Sequence, residues 1–252
     1  FNKYGNYDSV GAYQSKKSPY YSWFCFDNYP DEYKSWWGIT TLPTTDKESG
    51  YADFIAGKNG VIDFYAKKGI GGFRLDVVDE LPDKFVGEIR KALKGENNES
   101  LLIGEVWEDA SNKISYDVRR KYFVDGELDS VMNYPLKNAI LNYVCYGDSG
   151  NLSLTVKTII DHYPKDVVDN IMNILSTHDT VRALTAVSGI DASGKSKFEQ
   201  SELSIPESDY YRAVARLKIA VALHREKFLH NFDFSLDIPP AGTIIMIIPG
   251  QS

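Results

Sequence analysis

An α/β fold built on a parallel sheet is the class this sequence predicts, and three observations predict it. Short apolar runs alternate with amphipathic helical patterns, the order that builds strand-helix-strand units with right-handed crossovers. Three apolar runs end in a carboxylate: Gly72-Phe73-Arg74-Leu75-Asp76, Leu101-Leu102-Ile103-Gly104-Glu105 and Ile174-Leu175-Ser176-Thr177-His178-Asp179. Side chains at the carboxyl ends of strands form the active-site floor of a parallel α/β barrel. Carboxylates gathered there repel one another unless a substrate or cation uses the charge, so they read as chemistry.

Taken in order, residues 1–50 are aromatic, polar and broken by Gly and Pro, as in Ser18-Pro19-Tyr20-Tyr21. So many rings argue against disorder, and a long irregular segment that is ordered is usually functional. A helix follows on the apolar face of Val61, Ile62, Phe64 and Tyr65, closed by Lys67-Lys68-Gly69. Residues 72–77 read as a strand, and 83–93 as a helix behind the Pro82-Asp83 start signal. Residues 101–106 form the next strand, with a helix expected around 115–121. A short strand at 130–133 precedes Pro135, and helices are expected over 136–145 and 152–163. A strand over 171–176 and a helix over 210–223 follow. Beyond them the pattern changes. His224-Arg225-Glu226-Lys227 is a charged patch, residues 232–238 alternate with period two, and Pro239-Pro240-Ala241-Gly242 is a turn signal before an apolar strand at 243–248. This predicts a short C-terminal β hairpin.

The 252 residues suffice for one large domain or two smaller ones, and a formal net charge of −7 argues against nucleic acid or an anionic membrane as partner. No apolar run reaches the roughly 20 residues of a membrane span. Seventeen tyrosines, twelve phenylalanines and four tryptophans suit sugar faces, although rings also fill cores. Cys25 and Cys145 are too few for a disulfide framework and match no metal or redox spacing. The chain opens at Phe1 without a signal-peptide pattern, so the true amino terminus is expected upstream. The compartment stays open, with the cytoplasm favoured.

Asp76 and Glu105 lie one strand-helix unit apart, on consecutive strands. Neighbouring strands sit about 4.8 Å apart. Carboxylates at matching heights would therefore approach the roughly 5–5.5 Å of a retaining glycosidase pair, short of the roughly 6.5–9.5 Å of an inverting one. Arg74, two residues before Asp76, points to the same side of its strand. Its guanidinium would hold Asp76 ionised, as a nucleophile requires; the alternative is an ordinary buried ion pair. A partly apolar surround would raise the pKa of Glu105 and suit it to general acid work, the alternative being a solvated strand-end carboxylate. His178-Asp179 suits hydroxyl binding and stabilisation of positive charge, or is simply a polar pair at a strand end. The four histidines make no His-x-His or His-Glu-x-x-His pattern, and no Gly-x-Ser-x-Gly elbow exists.

Gly72-Phe73-Arg74-Leu75-Asp76-Val77-Val78-Asp79-Glu80, Gly104-Glu105-Val106-Trp107 and Ser176-Thr177-His178-Asp179 resemble the second, third and fourth sequence regions of the alpha-amylase family, glycoside hydrolase family 13. Phe1-Asn2-Lys3-Tyr4-Gly5, Gly38-Ile39-Thr40-Thr41-Leu42-Pro43 and Met132-Asn133-Tyr134-Pro135 resemble its neopullulanase and cyclomaltodextrinase branch. The resemblance implies part of a TIM (β/α)8 barrel, about strands 4 to 7. It makes Asp76 the nucleophile, Glu105 the general acid/base and Asp179 the transition-state stabiliser. Arg74 would partner the nucleophile, His178 would bind hydroxyls, and Trp107 is expected against substrate. Family members cleave α-1,4 and sometimes α-1,6 glucosidic bonds with retention, so an α-glucan, maltodextrin or cyclodextrin is the expected partner. Many bind calcium; no metal ligands are assigned here. The intact branch implies a homodimer.

Under the same resemblance, residues 1–50 are the end of an inserted loop domain, 51–223 a barrel fragment, and 224–252 a remnant of the C-terminal β-sandwich. The family's first region and its eighth-strand segment have no match, so a truncated copy with an internal deletion near His224 is expected. A catalytically weak or inactive chain follows as one alternative, since an open barrel exposes edges. A non-catalytic carbohydrate-binding relative is another, although all three acids are retained. A barrel acting on phosphorylated substrates would need a Gly-rich phosphate cup near the late strands, and none is visible.

Overall fold

The computed structural model describes residues 1–5, 7–124 and 126–225 and the backbone of 244–247. The chain divides into two compact units: Phe1–Glu105, Ile114–Asp129 and Ile238–Ser252 in the first, Val106–Lys113 and Ser130–Asp237 in the second.

In the first unit the aromatic N-terminal segment is ordered by its own rings. Phe1 packs 4.6 Å from Tyr33 and 4.9 Å from Phe24, centroid to centroid, and Tyr21 stacks on Phe26 at 5.3 Å. The short strands β1 (Phe26–Asn28) and β2 (Glu32–Tyr33) pair antiparallel within this cluster. The helix α1 (Gly50–Ala56) starts where the Ser49 hydroxyl accepts from the Tyr51 amide at 3.2 Å, a side-chain N-cap. The helix α2 (Val61–Ala66) forms where expected and is followed by Gly69 at φ +85°, but it buries Ile62 and Asp63 and leaves Phe64 and Tyr65 of the expected apolar face exposed.

The centre of this unit is β3 (Gly72–Leu75), buried along its whole length. Behind it α3 (Asp83–Glu96) buries Phe85, Val86, Ile89 and Leu93 and packs on α1 and α2. Each such side chain contributes about 1.5–3 kcal/mol by leaving water. The strand β4 (Leu101–Gly104) runs parallel to β3, with Gly72 opposite Leu101 and Leu75 opposite Gly104. Gly72 is required by this approach, since a Cβ there would lie 2.0 Å from the Leu101 carbonyl oxygen.

The helix expected around 115–121 is not formed. That segment is a hairpin, β5 (Ile114–Ser115) and β6 (Val118–Arg119), turned by Tyr116 and Asp117 at φ +52° and +60°. Tertiary hydrogen bonds override the helical pattern there: the Tyr116 hydroxyl donates to Glu80 at 2.6 Å, and Arg120 reaches the carbonyls of Asp79 and Leu81.

In the second unit β7 (Ser130–Val131) leads into a parallel bridge between Met132 and Met172. The Asn133 side chain caps α4 (Tyr134–Tyr146), accepting from the Leu136 amide at 3.1 Å, and Gly147 ends that helix at φ +75°. The helix α5 (Ser149–His162) is capped by Asp148, and α6 (Lys165–Asp169) follows behind Pro164. The helices α7 (Ala183–Ser188), α8 (Lys197–Ser201) and α9 (Glu207–Arg225) complete the unit. From α9, Arg216 ties α7 to α4, donating to the Val187 carbonyl at 3.0 Å and the Cys145 carbonyl at 3.2 Å.

The strand expected over 171–176 shrinks to Met172, whose amide donates to Val131 and whose carbonyl accepts from Asn133. A strand is defined by a neighbour's hydrogen bonds, and the apolar run outlasts its neighbour here. The strand expected over 243–248 is present as β8 (Ile244–Ile247), parallel to β3 with Gly72 opposite Ile244. Its expected hairpin partner over 232–238, the turn at 239–242 and residues 226–227 of the charged patch lie outside the described residues. Among the described residues the strands form part of a (β/α) barrel sheet and do not close it.

Candidate active site

Two strand ends bring three predicted residues together. Because Leu75 faces Gly104, the next residues, Asp76 and Glu105, stand at matching heights. The ladder runs on past both strands: the Glu105 amide donates to the Leu75 carbonyl at 2.9 Å, and the Val78 amide to the Glu105 carbonyl at 3.3 Å. Arg74 lies on the same side of β3 as Asp76. Its Nη1 pairs with Asp76 Oδ1, and its Nη2 lies 2.8 Å from Glu105 Oε2. The Arg74 and Glu105 side chains are 3% and 2% exposed and that of Asp76 18%, so one buried guanidinium serves two carboxylates while only Asp76 opens to solvent.

The electrostatics depart from the expectation for Asp76. Burial pushes its carboxyl above the ordinary range, Arg74 pulls it back, and Glu105 raises it again by charge and by a direct hydrogen bond. Arg74 therefore does not prevail alone: one positive charge cannot compensate two desolvated carboxylates. Glu105 also departs, since its carboxylate sits on Arg74 and on the Val77 amide, 2.8 Å from Oε2, rather than in the partly apolar surround expected.

That amide is a functional group sequence reasoning missed. Val77 holds φ +41°, ψ +57°, a left-handed conformation unfavourable for a β-branched residue. The twist brings the peptide N–H immediately after Asp76 onto Glu105. Gly104 is a second missed element, for a Cβ there would meet Leu128 at 2.6 Å and Val78 at 2.9 Å. A third is the brace on the turn following Asp76. The Tyr122 hydroxyl donates to Asp79 at 2.5 Å, and burial beside that carboxylate pushes the phenol pKa up. Arg120 pairs with Asp83 at 2.7 Å, and Trp37 and Tyr116 both donate to Glu80. The Asp79-Glu80 carboxylates were visible in the sequence; their donors, distant in the chain, were not.

The other predicted residues lie in the second unit. His178 Nε2 is 3.1 Å from Asp179 Oδ2, with side chains 54% and 42% exposed. The Asp179 amide donates to Thr177 Oγ1 at 3.2 Å, and Thr180 Oγ1 accepts from the Thr177 amide at 2.8 Å, so this loop is shaped by its own hydroxyls. Trp107, 42% exposed, stacks on buried Tyr134 with centroids 4.2 Å apart and planes 14° from parallel.

A family model described as the alpha amylase catalytic domain matches residues 52–204. The chain belongs to the alpha-amylase family. It is 30% identical over 259 residues to the amylopullulanase of Thermoanaerobacter thermohydrosulfuricus, an alignment covering 88% of this chain and 16% of that protein. A cyclomaltodextrinase from a Bacillus species is 30% identical over 184 residues, covering 69% and 31% of the two chains. Neopullulanase 2 of Thermoactinomyces vulgaris is 32% identical over 133 residues, covering 51% and 21%. The chain thus spans less than a third of each of these relatives. Among solved structures, the ligand-free cyclic alpha-maltosyl-(1-->6)-maltose hydrolase of Arthrobacter globiformis superposes with a TM-score of 0.60 over 71% of this chain and 40% of that one, at 23% identity, which shows a common fold.

The neopullulanase and cyclomaltodextrinase resemblance is thereby carried by the relatives as well as by the motifs. For calcium, which many alpha-amylase family members bind, the described residues offer no group of three or more His, Cys, Asp or Glu able to hold a metal ion. Among the described residues no helix is long and apolar enough to cross a membrane.

Proposed function

We propose that this chain carries the catalytic carboxylates of a retaining α-glucan hydrolase acting on α-1,4 or α-1,6 glucosidic bonds. The observation that carries the proposal is the register-matched pair Asp76 and Glu105 with Arg74 between them. The two carboxyls hydrogen-bond directly, well inside the roughly 6.5–9.5 Å that an inverting mechanism needs, which supports the retaining reading. Asp76, the more open of the two, attacks the anomeric carbon and forms a glycosyl ester. Glu105 gives its proton to the departing oxygen, then takes one from the water that hydrolyses the ester.

This chemistry needs one proton on two carboxyls. Burial and the neighbouring Glu105 favour the protonated form of Asp76, and Arg74 favours its ionised form, the one that attacks. Asp179 is the proposed stabiliser of the oxocarbenium-like transition state, His178 a hydroxyl donor and Trp107 a stacking platform for a sugar ring. The substrate class comes from the relatives, amylopullulanases and cyclomaltodextrinases. Residues 1–50 are proposed as the end of an inserted loop domain, and a homodimer only for a longer protein of this branch.

The test is covalent trapping. A fluorinated glucosyl fluoride should add one fluoroglucosyl mass to the peptide bearing Asp76, and Asp76→Asn should abolish the adduct. Labelling elsewhere, or none from the intact parent sequence, would sink the assignment. A second reading, a chain of weak or no activity by itself, is favoured by the unclosed sheet among the described residues. Release of reducing sugar from pullulan or cyclodextrin by this chain alone would remove it.

A further inference from the structure

The loop Val106–Lys113 leaves β4, carries Trp107 and is fastened to the end of α5 within the second unit. His162, the last residue of that helix, sets Nδ1 2.8 Å from Asp109 Oδ2. The buried Ala110 amide donates to the hydroxyl of Tyr163, the next residue, at 2.9 Å. The same hydroxyl hydrogen-bonds the Asp109 carboxylate. Two consecutive loop residues therefore meet two consecutive residues 53 positions further along the chain. The indole that precedes them lies on Tyr134, buried at the start of α4.

Asp109 joins the turn to the helix. Its Oδ1 accepts from the Ser111 amide at 2.9 Å and the Ser111 hydroxyl at 2.7 Å, while Oδ2 faces His162. Burial pushes this carboxyl up, but the Ser111 and His162 hydrogen bonds more than offset it and hold the pKa below the ordinary Asp value. An ionised carboxylate only accepts, so His162 Nδ1 carries the hydrogen. Part of this clamp is plain structure, since a buried amide such as that of Ala110 needs an acceptor wherever it lies. The His162–Asp109 contact is different. Both side chains are partly exposed, and such a pair adds little to global stability. What it does fix is the backbone two residues from Trp107. A ring platform held in place beforehand spares a ligand the entropy of ordering it.

We propose that His162 and Tyr163 are positioning residues for sugar binding, which act through Asp109 and Ala110 to keep the Trp107 ring seated on Tyr134. Neither is asked to touch the sugar. The role in binding rests on Trp107 as the stacking platform proposed above; the mechanical link to the ring rests on the hydrogen bonds alone.

The test uses the full chain carrying Asp76→Asn, so that nothing is hydrolysed, and maltotriose as the probe in titration calorimetry. Trp107→Ala should weaken binding about tenfold. His162→Ala and Tyr163→Phe, each removing one tie, should weaken it about threefold. Added to Trp107→Ala they should change nothing further, the non-additivity expected of residues that act through one ring. His162→Asn, whose amide N–H can replace Nδ1–H, should restore the affinity. Full additivity with Trp107→Ala would overturn the proposal, as would an affinity that neither substitution alters. Fluorine NMR of the chain labelled with 5-fluorotryptophan reads the link without sugar. His162→Ala and Tyr163→Phe should move the Trp107 resonance and leave those of Trp23, Trp36 and Trp37 in place. A shift of none of the four, or of all of them together, would refute a local link. If Trp107→Ala leaves maltotriose affinity unchanged while its resonance still answers to His162→Ala, the platform reading is refuted and the link stands.

Discussion

Two acidic regions of this chain are built in opposite ways. Glu105 is buried and Asp76 partly so at the ends of a register-locked pair of strands, and a single guanidinium is shared between them. Asp179 is 42% exposed, partnered by its neighbour His178, and its loop is shaped by Thr177 and Thr180. The first region positions its carboxylates through long-range backbone ladders. In the second, local turn chemistry fixes the backbone and leaves the carboxylate itself to solvent. A buried pair carries its electrostatic strain in the free protein, whereas an exposed carboxylate carries little until a substrate desolvates it.

The sharpest way to break this contrast is to neutralise each acid in turn. Asp76→Asn should lower glucan cleavage at least about 10³-fold, since nothing else at the site can form the ester. Asp179→Asn should lower it by a similar order. Their stabilities should part company. At neutral pH Asp76→Asn should stabilise the fold by about 1 kcal/mol, because an isosteric amide removes a disfavoured buried charge. Asp179→Asn should fall within about 0.5 kcal/mol of the parent, as surface changes do. Urea denaturation at pH 7 reads both, and equal stability shifts would erase the distinction.

Arg74→Met tests the shared cation. Removing it leaves two carboxylates in a buried site, and losing one partner of a buried pair typically destabilises by about 3–5 kcal/mol. A loss near 1 kcal/mol would mean that water already screens the pair.

The pH dependence follows from the direction of the Asp76 shift. Its folded pKa is raised by burial, so the folded state binds the proton more tightly than the unfolded chain does. The associated stability is complete below the ordinary Asp value of about 3.9 and is lost as pH rises through the folded value. Asp76→Asn lacks this titration. The stability advantage of the variant should therefore shrink towards zero as pH is lowered from 7 to about 3.5. An advantage that grows on acidification would reverse the sign and show that Arg74 outweighs burial.

The same contrast explains what could be read from the sequence. A strand is a local pattern of period two, so Arg74 and Asp76 on one side, with Glu105 at the same height next door, were legible from the residues alone. The helices over Tyr134–Tyr146, Ser149–His162 and Glu207–Arg225 were legible for the same reason, as runs with period near 3.6. What decided residues 114–119 was not local: Arg120, Tyr116 and Ser115 are committed to the turn at Asp79, Glu80 and Leu81. Tyr-Asp in a two-residue hairpin lacks the Asn-Gly or Gly signal that such turns usually carry. The strand over 171–176 failed because an apolar run does not reveal how far its neighbour extends. For Asp76, spacing identified the partner cation, but burial depth, which sets the sign of the pKa shift, exists only in the fold.

The smallest expected effect concerns Val77, where backbone torsion links the fold to the chemistry. A left-handed β-branched residue is disfavoured by about 1–2 kcal/mol, while glycine there costs about 0.5–1 kcal/mol in chain entropy. Val77→Gly should therefore be slightly more stable than the parent, by about 0.5–1 kcal/mol. It should also loosen the amide that holds Glu105, so kcat should fall a few-fold with KM unchanged. Val77→Asn, a residue that tolerates the left-handed region, should keep both the amide direction and the rate. If Val77→Gly proves markedly less stable, the positive φ carries no strain. If Val77→Asn loses activity as glycine does, the Val77 side chain matters rather than the twist, and the amide is not what holds Glu105 in place.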